Sequence, residues 1–297
     1  MEAQYELIVF TLCVCLGAGI FAVQGFLTLL GKGAKVQMPA LICSFASIVI
    51  GGAGSFLHLQ HWDRIFNGFG HITSGITQEL IAMVVFVVVL VAYFIVLRRS
   101  EDGQLPKWCG VIALLISLVL VVVVALSYTL PARPLWNTPF LCLIFIANAA
   151  LFGSLAVAVL AGIMTDESAT NLTTLTGLIG CLAQAVATAL YSFTAYQAAD
   201  WFANVGSYFD PNNPTVPVAD MSAAITGVFY GENVLVFWLG VVFLGLLVPL
   251  VLTFLARKRE TEQIIALAGL GLICALIGGF GFRVVFYALG FSVFMFS

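Results

Sequence analysis

Charge and histidine are what this sequence has least of. Asp, Glu, Lys and Arg together make up 8% of 297 residues, and histidine occurs three times. That is too little polar surface to clothe a soluble domain. Apolar residues reach 62%, mean hydropathy is +1.12, and the apolar residues fall in repeated runs of about twenty, which requires a multi-pass membrane protein. Cofactor-binding patterns are missing too. The cysteines (Cys13, Cys15, Cys43, Cys109, Cys142, Cys181 and Cys274) contain no C-x-x-C and no cluster spacing, which argues against an intrinsic iron–sulfur cluster and leaves them as small buried hydrophobes. His58, His61 and His71 all lie in one stretch, whereas a membrane b-type haem needs axial histidines facing each other from different helices. No zinc-ligand spacing, phosphate-binding glycine loop, nucleophile elbow or H-E-x-x-H is present, so hydrolase and ATPase chemistry has nothing to rest on. The chain is expected to hold no haem, no iron–sulfur cluster, no molybdenum and no other metal, and to have no nucleic-acid partner.

What is present is an all-α pattern. Eight spans are expected, at Tyr5–Leu30, Pro39–Leu57, Thr77–Leu97, Cys109–Tyr128, Phe140–Met164, Leu172–Tyr196, Asn233–Leu255 and Ile264–Ala288, forming one integral membrane domain over residues 1–297. No water reaches the bilayer core to satisfy the backbone, so these runs read as helices; they lack the alternating polarity of a β-barrel. The chain opens Met-Glu-Ala-Gln-Tyr-Glu, acidic where a signal peptide would be basic, so the first run is expected to be a mature helix. Eight of the eleven basic residues (Lys32, Lys35, Arg98, Arg99, Lys107, Arg257, Lys258 and Arg259) lie in the connections after helices 1, 3 and 7. The positive-inside rule then puts both termini outside. No internal repeat is evident.

Ionisable groups within apolar segments are costly and are functional candidates by default. They concentrate in His58-Leu-Gln-His61-Trp-Asp63-Arg64-Ile-Phe-Asn67, then Thr77-Gln-Glu79-Leu, and in Gly281-Phe-Arg283-Val-Val-Phe286-Tyr287. His58, closing the second run, either exchanges a proton with a substrate hydroxyl or simply ends its helix at the interface. Arg64 holds an anionic oxygen, or pairs with Asp63 or a lipid phosphate. Glu79 is either a proton-handling carboxylate or a helix-start carboxylate favoured by the helix dipole, with Ser74 or Thr77 as cap. Arg283 either snorkels to the surface or faces the interior to meet Glu79 or a ligand. The small residues around Gly17–Phe21 and Asn148–Ser154 read most simply as packing, and the acidic stretch 200–232 as a plain surface loop or, through Trp201, Tyr208 and Phe209, as a cap over a site or a docking surface for a subunit.

The run His58-Leu-x-x-x-x-Arg64-x-x-Asn67, Glu79 opening the next helix, and Gly281-x-Arg283-x-x-Phe286-Tyr287 together resemble the DmsC family, the membrane anchor subunits of dimethyl sulfoxide reductase. The resemblance spans the whole chain. It departs from the family pattern at Gln60 and His61, and at Thr77-Gln78-Glu79-Leu80. It implies a multi-pass anchor in the bacterial cytoplasmic membrane that binds and oxidises menaquinol. It also implies lipid contact and two partners: an iron–sulfur subunit of the four-cluster ferredoxin type and a molybdopterin catalytic subunit. His58, Arg64 and Glu79 are the residues tied to quinol oxidation by the resemblance, with Arg283 as a further quinol contact. A polysulfide-reductase-like anchor on a related eight-helix plan is the alternative. A secondary transporter is a further one, although transporters usually place their polar groups at mid-membrane between inverted repeats.

Overall fold

A computed structural model describes residues 3–58, 71–204, 221–257, 259 and 261–290. The described residues are helical apart from turns and loops: α1 (Tyr5–Leu29), α2 (Gln37–His58, entered through a 3-10 turn at Ala34–Val36), α3 (Gly75–Arg99), α4 (Lys107–Ser127), α5 (Pro139–Ile163), α6 (Glu167–Asn204), α7 (Met221–Tyr230), a π-helical segment (Val236–Leu247) running into α8 (Val248–Ala256), and α9 (Thr261–Ala288). Eight of these helices, with the π segment and α8 counted as one, are long and apolar enough to cross a bilayer. This is an all-α polytopic membrane protein.

Local chemistry sets the helix ends. Pro139 occupies the first turn of α5, where its missing N–H costs nothing, and Thr138 Oγ1 accepts from Phe140 N at 3.3 Å. At the other end of α5 the chain turns on Thr165, whose φ of 51° is left-handed, and Asp166 N closes back onto Ala161 O at 2.9 Å. Asp166 then caps α6, its Oδ1 accepting from Ala169 N at 3.2 Å. The π segment leads straight into Val248-Pro249. Proline has no N–H and its ring collides with the carbonyl four residues back, so a widened i→i+5 turn in front of it relieves a conflict that an α-helix would carry.

The helices pack as two bundles. Within the first, α1 packs most extensively on α2 and α4, and α3 on α4; within the second, α5 packs on α6 and α9, and α9 on the π segment and α8. The second half thus repeats the pairing order of the first, a repeat the sequence conceals because its apolar residues are interchangeable. Each half has an even number of crossings, so the two run in the same direction and are not inverted. They meet along α1 and α5, the most enclosed spans, with 67% and 72% of their most apolar windows buried against 22% for α3. Close approach there depends on glycine: a β-carbon on Gly19 would run into the backbone of Ala149, and one on Gly153 into that of Gly19.

α6 continues to Asn204, beyond the Tyr196 expected from sequence, and an added helix, α7, forms at Met221–Tyr230, so part of the stretch expected to be loop is helical. The basic connections after α1 and α3 share one end of the bundle with the α5–α6 connection: Lys35 Nζ donates to Thr165 O at 3.4 Å, and a β-carbon on Gly103 would lie 3.1 Å from Ala34 O.

Candidate functional site

At the opposite end of the bundle, α3 begins on Gly75, which packs on Ser127 with no room to spare: an added β-carbon would lie 3.1 Å from the Ser127 Cβ. This contact carries Glu79, in the second turn of α3, against the last residue of α4. Ser127 Oγ hydrogen-bonds Glu79 Oε1. The same hydroxyl also reaches Val124 O at 2.9 Å, yet it has a single proton to give. Glu79 is half-buried. Ser74 holds the N-cap position, though without a side-chain cap bond, and Glu79 lies beyond the first turn of α3.

Beside this pair lies an aromatic wall. Tyr128 ends α4, and its ring meets Trp136 edge-on at 5.9 Å and Phe286 at 5.7 Å. Trp136 stacks on Phe286 at 4.3 Å and 15°, pinned by its Nε1 donating to Phe286 O at 2.8 Å. Arg133 lies over the Trp136 ring at 4.4 Å. Tyr287 is 3% exposed, its hydroxyl is buried beside that of Tyr128, and both phenols lie within electrostatic reach of Glu79.

Arg283, one turn below Tyr287 on α9, does not snorkel. It is 2% exposed and sits in the α1–α5–α9 seam, with Nε donating to Thr11 Oγ1 at 2.6 Å, Nη1 to Asn148 Oδ1 at 3.1 Å and to Gly279 O at 3.0 Å, and Nη2 to Thr11 O at 3.3 Å and to Cys15 Sγ at 3.5 Å. Phe145 lies under the guanidinium at 5.0 Å. Asn148 passes the network on through Nδ2 to Gln184 Oε1 at 2.5 Å, and Gln184 Nε2 reaches Thr188 Oγ1 at 3.1 Å. Asn148 is therefore a polar hub, where the sequence pattern alone suggests packing.

Of the residues expected from sequence, Glu79 lies in this site and Arg283 directly behind it. His58, the last residue of α2, is exposed, and the hydrogen bond on Glu79 comes from Ser127, not from His58 or Arg283. Arg64, His61, Trp201 (its side chain), Tyr208 and Phe209 lie outside the described residues. Ser127, Tyr128, Trp136 and the Asn148–Gln184 pair are not among the candidates that sequence reasoning raises. A polar side chain in an apolar run is the signal that exposes Asn148 and Gln184, but a serine and a tyrosine at a helix end look like ordinary interfacial residues. Among the described residues no group of three His, Cys, Asp or Glu side chains is placed to hold a metal ion.

The helical architecture and the polar, aromatic site at one end of it define a membrane protein of the anchor type. The family described as polysulphide reductase, NrfD matches residues 4–291, and the chain belongs to that family of membrane anchors to respiratory oxidoreductases. The match falls on the polysulphide-reductase side of the two plans expected from sequence and does not single out DmsC. No curated protein matches the chain.

Proposed function

We propose that this chain is the quinol-oxidising membrane anchor of a respiratory oxidoreductase of the polysulphide reductase type, with the quinol ring bound against Glu79 and Tyr128, backed by the Trp136–Phe286 stack. The observation that carries this reading is the half-buried Glu79–Ser127 pair set beside two phenols and a flat aromatic wall. A quinol is a planar ring with two hydroxyls, and its oxidation releases two electrons and two protons. Trp136 and Phe286 are buried against each other, so the ring meets the partly exposed Tyr128, which they back. Glu79 suits the proton: with the carboxylate ionised, Ser127 donates to it, and once Glu79 is protonated Ser127 can turn its hydrogen to Val124 O. Tyr128 and Tyr287 hold the ring hydroxyls, while His58, the exposed last residue of α2, and, as the resemblance implies, Arg64 complete the proton exit. Arg283 is a positioning residue whose seat in the helix seam sets the height of Tyr287. The electrons leave to an iron–sulfur partner subunit and from there to a molybdopterin subunit. Menaquinol is the quinol the DmsC resemblance favours, and polysulfide, ahead of dimethyl sulfoxide, is the acceptor the family match favours.

The test is oxidation of a reduced menaquinone analogue by membranes containing the full complex at matched abundance. Glu79→Gln is expected to lower the rate about 100-fold, the low end of what general acid–base groups contribute. Activity from an artificial donor to the soluble subunits should remain. An unchanged quinol rate in Glu79→Gln would remove this site from the mechanism.

A further inference from the structure

We propose that the groove between α2 and α3 is a binding site for an anionic phospholipid of the leaflet that faces the basic loops, with one acyl chain in the groove and the phosphate on Arg98, under the basic rim. This inference does not depend on the quinol reading; it concerns the other end of the bundle.

The groove has a volume of about 250 Å³ and is lined by Leu41, Ile42 and Phe45 of α2 and Leu90, Val91 and Phe94 of α3. Leu41 and Leu90 are buried and form the floor, while Ile42, Phe45, Val91 and Phe94 are 43–59% exposed and form the walls. Its lining is wholly hydrocarbon, which suits an acyl chain. A hydrogen-bonded knot ties the helices beside the groove. Tyr93 OH donates to Gln37 Oε1 at 2.9 Å and pairs with Thr28 Oγ1 at 2.8 Å, and Gln24 Nε2 donates to Gln37 Oε1 at 2.9 Å. This knot joins α1, α2 and α3 at the basic end, and beyond it α2 and α3 pack thinly.

Charge says which lipid. Helical periodicity continues the α3 wall from Val91 through Phe94 to Arg98, seven residues being two turns. Arg98 is exposed and sits where a headgroup would follow from an acyl chain in the groove. The two connections that form this rim, 30–37 and 98–107, carry five basic residues against the acids Glu101 and Asp102, and Gly103 packs on Ala34 to bring them together. A basic rim above an apolar interhelical groove is complementary to a phosphodiester with acyl chains and offers nothing to a neutral zwitterion that it does not offer more strongly to an anion.

The experiment is native mass spectrometry of the full-length protein with equimolar phosphatidylglycerol and phosphatidylcholine of the same acyl chains. Wild type should retain phosphatidylglycerol preferentially. Arg98→Gln should weaken that binding about fivefold, since a basic residue near an anionic surface contributes about 1 kcal/mol. Val91→Trp and Ile42→Trp, which fill the groove from either wall and keep Arg98, should remove the bound lipid. Equal retention of the two lipids, indifference to loss of the Arg98 charge, or undiminished binding in both groove-filled variants would each overturn the proposal. So would displacement of the lipid by a menaquinone analogue, which would make the groove a quinone-tail channel.

Discussion

At the scale of single residues, two ionisable groups do different work. Glu79 sits half-buried with one serine hydroxyl for company, an arrangement that tolerates either protonation state. Ser127→Ala removes the donor and leaves the carboxyl group. Its quinol-analogue rate is therefore expected to fall less than that of Glu79→Gln, by about tenfold, the scale of one charge-assisted hydrogen bond. Initial-rate measurements in membranes check the order of the two effects. Arg283 is the opposite case, since its donors are spent on Thr11, Asn148, Gly279 and Cys15. Lysine offers the same charge from one point and cannot span those acceptors. Arg283→Lys should cost about 3 kcal/mol of stability through buried acceptors left without donors, read as a lowered unfolding temperature in detergent, with the KM for quinol analogue little changed. A raised KM with unaltered unfolding would make the guanidinium a quinol contact instead.

At the scale of elements, the seam between α1 and α5 decides how the halves meet. A β-carbon at Gly153 has nowhere to go, because the backbone of Gly19 occupies its place. Gly153→Val is expected to separate the helices and pull Asn148 away from Arg283, lowering the yield of folded protein and its unfolding temperature. Gly240→Ala, at a glycine whose added β-carbon meets nothing within 4 Å, should leave both unchanged. Fluorescence-detected size-exclusion chromatography after graded heating separates the two. Helix existence is legible from the apolar runs alone. The π segment ahead of Pro249 is not, because proline marks a conflict in a helix without saying whether a kink, a bulge or a wider turn resolves it.

At the scale of the molecule, the basic connections after α1 and α3 gather at one end and the Glu79 site at the other. If the positive-inside rule orients the chain, a cysteine at Glu101 is shielded in intact cells and one at Leu130 is open to an impermeant thiol reagent. Labelling of Glu101→Cys and Leu130→Cys in whole cells and in opened membranes, against the unsubstituted chain as background, checks this; equal labelling at both positions would reverse or void the orientation. Hydropathy and charge by themselves determined the number of crossings, their approximate limits, the clustering of basic loops, and Glu79 and Arg283 as residues out of place in hydrocarbon. Those are one-dimensional quantities, set by the cost of putting polar groups in a bilayer. Only tertiary structure decided that Ser127 partners Glu79, that Trp136 leans on Phe286, that Arg283 is locked to α1 and α5, and that the two halves share one packing plan. Such pairings join residues far apart in the chain, and apolar helices that all satisfy the bilayer equally well leave the choice of neighbour to small-residue contacts and buried hydrogen bonds, which no single run of sequence displays.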